Sequence, residues 1–238
     1  MSSLVLVRHA QASFMEADYD QLSSHGEEQA RKLGDHWRAQ NHSFDQVYTG
    51  PRKRHKQTAE IVGARLQAGG VAWPNPVELP GLDENHVDQL IIHHHEALAA
   101  EFPHVGELAA SFHAAKNSTE RGRRAQALFE TVARLWMAEE VSLGVETWPT
   151  FRDRVHSALK EIVAHNGGGQ RVAVVTSVGP IMAALQRTLD CPQEVALATG
   201  WRVWNCSITE CVFSGERFTL DSFNTLPHLP DRSEWTYR

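Results

Sequence analysis

Apolar positions along the chain change their spacing in a repeating order. Leu4-Val5-Leu6-Val7 is a continuous branched run that stops abruptly at Arg8-His9-Ala10-Gln11, the pattern of a strand buried on both faces. In Ser23-Ser24-His25-Gly26-Glu27, Ser24 and Glu27 have capping-box spacing, and Ala30, Leu33 and Trp37 recur at helical steps. This predicts a helix over about 24–40. Phe44-Asp45-Gln46-Val47-Tyr48 reads as a short strand. Thr49-Gly50-Pro51 closes it and opens a second helix carrying Arg54, Thr58, Ile61, Val62 and Leu66.

The middle of the chain, about 70–144, starts with a Gly/Pro-rich connection through Pro74, Pro76 and Pro80 and is otherwise helical in pattern, with Leu108, Phe112, Leu128, Val132 and Leu135 at three- and four-residue steps. No long linker brackets it, so it reads as a helical lid or insertion within a single domain spanning 1–238. The last third repeats the opening order. Phe151, Val155, Leu159 and Ile162 mark an amphipathic helix that Gly167-Gly168-Gly169 ends, and Arg171 to Thr176 is another buried strand. Ser177-Val178-Gly179-Pro180 then opens a helix through Leu185 and Leu189, and Ser207–Phe213 with Arg217–Phe223 reads as a terminal β-hairpin.

Alternating strands and helices predict an α/β fold with a mostly parallel sheet, whose ligand site lies beyond the carboxyl ends of the strands. Composition narrows the picture without changing it. The 238 residues are 42% hydrophobic and 22% charged, with no run of 18 apolar residues and no basic, apolar leader at the N-terminus. A net charge of −6 gives no general attraction to nucleic acid or an anionic membrane, so anion affinity has to be local. Cys191, Cys206 and Cys211 are an odd set without a Cys-x-x-Cys pair, which predicts reduced thiols in a cytoplasm.

Three strand ends carry the candidate chemistry: Arg8-His9, the Gly50–Arg54 junction and Ser177-Val178-Gly179. Each arginine offers a planar fork of donors to phosphoryl oxygens, and a neutral imidazole is a good nucleophile toward phosphorus. His93-His94-His95 reads as a helical surface instead of a metal site, because consecutive helical residues point about 100° apart and no further ligand completes a set. Arg121-Gly122-Arg123-Arg124 is a local basic run at the start of a helix, with a surface turn and a contact to a substrate tail both open.

Leu4-Val5-Leu6-Val7-Arg8-His9-Ala10-Gln11, Leu22-Ser23-x-x-Gly26-x-x-Gln29-Ala30, Arg54-x-x-Gln57-Thr58-Ala59-Glu60, the Val172–Ile181 stretch and Phe223-Asn224-x-x-x-x-His228-Leu229 together resemble the histidine phosphatase superfamily, the phosphoglycerate-mutase-like proteins. The resemblance spans nearly the whole chain. It implies a three-layer α/β/α architecture with a mixed, mostly parallel sheet, no cofactor and no metal. It also implies hydrolysis of a small phosphorylated metabolite through a phosphohistidine on His9. By position Arg8 and Arg54 would bind the phosphoryl group and Glu84 would protonate the leaving oxygen, with Asp83 as the competing carboxyl. A simpler reading of Asp83 and Glu84 is that they begin the helix through Val87, Leu90, Ile91 and Leu98. Gln11 and Ser13, with Phe14, follow His9 closely enough to line the pocket.

The sequence departs from the family pattern at Ala10, which replaces a glycine, and at the end of the last core strand. There Ser177 stands at the position of the second active-site histidine and Val178 at that of the following glycine. A serine offers one neutral hydrogen bond from a shorter side chain, and losing a preorganised donor typically lowers the rate about 10²–10³-fold. Other branches of the family resemble this chain in having serine there. A noncatalytic protein that binds a phosphorylated ligand is the alternative from another class, and a phosphoglycerate mutase is a second enzyme alternative.

Overall fold

The computed structural model describes residues 1–13, 20–215 and 217–237. Among the described residues six strands form one sheet: β1 (Ser2–Arg8), β2 (Gln46–Thr49), β3 (Val77–Glu78), β4 (Arg171–Thr176), β5 (Ile208–Ser214) and β6 (Arg217–Thr225), in the order β3-β2-β4-β1-β5-β6. The β1–β4, β4–β2 and β2–β3 pairs are parallel, and β5 and β6 continue the sheet antiparallel. The run-and-helix pattern predicts the mostly parallel sheet, and the family resemblance implies its mixed character. Helices α1 (Ser24–Ala39) and α2 (Lys53–Gln67) pack together, and Val5, Val7, Val47, Ala173 and Val175 share a core with their Leu33, Trp37, Val62 and Leu66. Leu4, Leu6, Val172 and Val174, of opposite parity, are equally buried, so both faces of the sheet are covered, in an α/β/α arrangement.

The chain divides into two compact units, Met1–Glu84 with Arg154–Arg238, and Asn85–Asp153. The sequence puts the start of the insertion near 70, with its Gly/Pro-rich connection, but Val71 and Trp73 enter the sheet unit's core and Val77–Glu78 is its edge strand. The second unit consists of α3 (Val87–Glu101), bent at His94, α4 (Pro103–His113), α5 (Ser118–Met137) and the first turns of α6 (Trp148–His165). Trp136 is its centre, 5.5 Å from the Trp148 ring and 5.7 Å from Phe151, both at steep angles. His93 and His95 are exposed on α3, and the basic run lies inside α5, where Arg124 pairs with Glu120 four residues earlier and bonds the Ser111 carbonyl.

Several boundaries differ from the sequence pattern. The cap of α1 is Ser23, whose Oγ accepts from Gly26 N at 3.0 Å, and not Ser24. Phe44 precedes β2, its ring at 4.8 Å from Trp37 and 5.4 Å from Trp73, so its apolarity serves core packing off the strand. Asp83 and Glu84 lie ahead of α3, which starts at Val87 and carries Asp88 in its first turn. Glu216, expected in the hairpin turn, and Phe14, expected to line the pocket, lie outside the described residues.

α1 approaches the segment after β1 so closely that a Cβ on Gly26 would fall 2.0 Å from the Gln11 carbonyl oxygen. Gly26→Ala is therefore expected to destabilise the protein by about 1–3 kcal/mol, the usual range for overpacking. Gly122, inside α5, would meet nothing within 4 Å. Gly122→Ala should instead stabilise by roughly 0.5–1 kcal/mol. Chemical denaturation of both variants checks this; equal shifts of the same sign would refute the packing argument.

Candidate active site

Parallel pairing aligns the carboxyl ends of three strands. Arg8 is opposite Thr176 and Thr49 opposite Val175, which brings Arg8-His9, Gly50 with the start of α2, and Ser177 to one edge of the sheet. His9 N donates to the Thr176 carbonyl at 2.8 Å, and the His9 carbonyl accepts from Cys206 N at 3.2 Å and Asn205 Nδ2 at 3.3 Å. Thr58 Oγ1 accepts from Ala10 N at 3.1 Å and donates to the Arg54 carbonyl at 2.7 Å, tying the β1 end to α2. Ala10 is fully buried and is not among the residues with left-handed backbone, so an alanine brings no strain where the family pattern has glycine.

The His9 side chain is 6% exposed. Its Nδ1 lies 2.7 Å from the Ala10 carbonyl. A carbonyl only accepts, so Nδ1 carries the proton and the Nε2 lone pair is left for chemistry. Burial holds the imidazole well below the usual histidine range, and the guanidiniums of Arg54 and Arg8 and the His55 ring push the same way. At neutral pH His9 is thus an uncharged base beside fixed positive charge.

The arginines are held differently. Arg54 Nη1 donates to Asp20 Oδ1 at 2.8 Å, while Asp20 Oδ2 accepts from Lys53 N at 2.9 Å at the start of α2. Arg8 directs Nη1 to the Val203 carbonyl and Nη2 to the Tyr237 carbonyl at 2.6 Å. The C-terminal segment is fastened there: the Tyr237 ring stacks on Trp204 at 3.6 Å, Asn205 N donates to the Thr236 carbonyl at 2.7 Å, and Gln29 Nε2 donates to the Glu234 carbonyl at 2.8 Å.

Glu84 accepts from Gly179 N at 3.1 and 3.3 Å, at the start of α7 (Val178–Leu189). Asp83 instead takes Arg52 Nε at 2.6 Å and the Glu84 N–H at 2.8 Å. Ser13 Oγ donates to the Leu22 carbonyl at 3.1 Å, and Gln11 Oε1 accepts from Ser23 Oγ at 3.0 Å. Both of these side chains therefore bond to the segment that leads into α1.

Ser177 is fully buried and precedes α7 without capping it. Its Oγ lies 2.6 Å from Nε2 of His55, a fully buried histidine in the first turn of α2 whose ring centroid is 5.7 Å from that of His9. Burial, then Arg54 and Arg52, lower the His55 pKa well below the ordinary value. A Cβ on Gly50 would fall 2.4 Å from its Nδ1, so this pocket is shaped around the imidazole. Neither His55 nor Asp20 stands out in the sequence. The Arg54-His55 doublet, which repeats Arg8-His9, is the one signal that points to His55.

Residues 4–226 match the model of the histidine phosphatase superfamily (branch 1). No curated protein matches the chain. Among solved structures it is similar to YhfR of Bacillus stearothermophilus, at 18% identity and a TM-score of 0.67 over 96% of this chain and 100% of that one. It is also similar to the phosphoserine phosphatase of Entamoeba histolytica in complex with 3-phosphoglyceric acid, at 17% identity and a TM-score of 0.64, covering 96% of this chain and 100% of that one. The alpha-ribazole phosphatase of Shigella flexneri, at 19% identity and a TM-score of 0.62, covers 94% of this chain and 96% of its own. At such identities the likeness is one of fold.

Proposed function

Because the chain belongs to branch 1 of the histidine phosphatase superfamily, we propose that it hydrolyses phosphomonoesters through a phosphohistidine on His9. The observation that carries this reading is the His9 geometry, with Nδ1 committed to the Ala10 carbonyl and a neutral, buried ring in the field of the Arg54 and Arg8 guanidiniums. Nε2 attacks phosphorus and the bond to the ester oxygen breaks. The ring keeps its Nδ1 proton, so the phosphorylated imidazole is cationic and its charge is shared with the Ala10 carbonyl.

The leaving oxygen takes a proton from Glu84, and water then attacks the phosphohistidine and returns a proton to that carboxylate. Orthophosphate and an alcohol leave, and His9 and Glu84 regain their starting forms. Asp83 is committed elsewhere, its Oδ1 accepting from Arg52 Nε at 2.6 Å and from the Glu84 N–H at 2.8 Å. Arg8, Arg54 and Ser177 bind the phosphoryl oxygens in this reading, and the positive charge comes from guanidiniums without a metal ion. Small phosphorylated metabolites are the substrate class, in keeping with the molecules named for the fold neighbours. A cytoplasmic setting agrees with Cys206 and Cys211, which are buried and unbridged, the latter thiol pushed up to about 12 by burial.

Rapid quenching of the protein with an aryl phosphate labelled in the phosphoryl group tests the intermediate. An alkali-stable, acid-labile label on the peptide containing His9 is expected. Phosphate release without any such label on that peptide would overturn the mechanism.

A further inference from the structure

We infer that His55, joined to Ser177, supplies the second imidazole of this site from a different strand end; the inference rests on the phosphohistidine reading of His9. The family pattern puts one imidazole directly after the last core strand, where this chain has Ser177. Here the imidazole stands behind the serine, on the first turn of α2, with Nε2 2.6 Å from Ser177 Oγ and its ring 5.7 Å from that of His9. Histidine at one position and serine at the other thus describe a relocated side chain.

The chemistry follows from counting protons. A serine hydroxyl has one hydrogen and two lone pairs, so it can accept from one partner while donating to another. For Ser177 to donate to a phosphoryl oxygen, the His55 proton has to sit on Nε2 and not on Nδ1, which faces the Gly50 backbone; the bond then runs from Nε2–H to Ser177 Oγ, and the serine's single hydrogen is left over. A hydroxyl that is itself a hydrogen-bond acceptor is a stronger donor, the more so in a site closed to water. Serine alone is too short and too weak to replace an imidazole. Serine backed by His55 extends the reach by one side chain and restores a polarised donor.

His55 acts through Ser177 and is therefore a positioning residue. The surroundings agree: both side chains are fully buried, Ser177 leaves the start of α7 uncapped to make this bond, and Gly50 leaves room for the ring.

Steady-state hydrolysis of an aryl phosphate by the native protein, His9→Ala, His55→Ala, Ser177→Ala and the double variant His55→Ala with Ser177→His decides the matter. His55→Ala is expected to lower kcat by about 10²–10³-fold, with KM within a few-fold of native. The double variant, which moves the imidazole to the other strand end and into the vacated space, should regain at least about tenfold of that loss. A folded His55→Ala with native kcat, or a folded double variant without recovery, overturns the inference. If His55→Ala does not fold, Ser177→Ala keeps the ring and its packing and must show the same loss of kcat; native turnover in that variant overturns the inference as well. These outcomes leave the phosphohistidine reading standing as long as His9→Ala is inactive. No release by the native protein, or undiminished release by His9→Ala, overturns both.

Discussion

Replacing His9 with alanine is expected to lower kcat/KM for phosphate release by about 10⁴-fold or more, since the variant loses the nucleophile and not merely one supporting contact. The expectation depends on how fully the fold prepares this one ring. Its Nδ1 is tied to the Ala10 carbonyl, its backbone is pinned by Thr176, Cys206 and Asn205, and burial keeps it uncharged. The alanine variant retains Arg8, Arg54 and Ser177, so it should still bind inorganic phosphate, which isothermal titration measures. Turnover within about tenfold of native would mean that another group attacks phosphorus. Loss of turnover together with loss of phosphate binding would point to a collapsed pocket.

The fold should also be unusually sensitive to acid. Burial holds His9, His55 and His228 below the ordinary histidine value of 6.5, His228 at about 3 with the His36 and Lys32 charges adding to the effect. Neither ring nitrogen of His228 has a partner among the described residues. In the unfolded chain all three take up protons as pH falls through about 6.5, while the folded protein refuses them. The unfolded state therefore binds more protons, and stability is fully present above 6.5 and declines below it. Each group contributes up to about 1.4 kcal/mol per pH unit, so three give a slope near 4. Against a typical stability of about 5–15 kcal/mol, that slope is a large share of the total for each pH unit over which the folded rings stay neutral. Glu210, whose carboxyl burial pushes up, works in the opposite sense, but it is one group against these three and the less buried His36 and His42, which burial also lowers. Denaturant titrations at successive pH values measure the slope, and His228→Gln should reduce it by about one proton. Stability that stays flat from neutrality to about pH 5 would contradict the argument.

The parts of this molecule that were legible in the sequence are those specified locally. β4 spans Arg171–Thr176 as its pattern predicts, because glycines before it and a helix start after it leave an apolar run of strand length no other use. The α1 cap is off by one because Ser23 and Ser24 are equally good oxygens by spacing, and the choice is made by Gln11, whose carbonyl and side-chain oxygen both take Ser23. Asp83 and Glu84 have the charge of a first helical turn, yet Arg52 and the Gly179 N–H draw them elsewhere. His9, Arg8 and Arg54 are recognisable because each lies within a motif. His55 is not, because its meaning depends on a hydroxyl 122 residues away, and neither residue alone departs from what a buried side chain does. Fold is written in periodicity and is readable in short windows; a site assembled from strand ends is written in pairs.

In the proposed phosphatase, the Arg54–Asp20 ion pair makes the phosphoryl site a seat already taken. An incoming phosphoryl group has to displace or share with a carboxylate tethered at 2.8 Å, whose local concentration far exceeds that of any free ligand. A monovalent ion offers the guanidinium no more charge than Asp20 does, so exchange gains little. A phosphate dianion brings a second charge and a further oxygen for Arg8. If the proposed function holds, the tethered carboxylate acts as a threshold, turning a general attraction for anions into a preference for those that carry two charges at once.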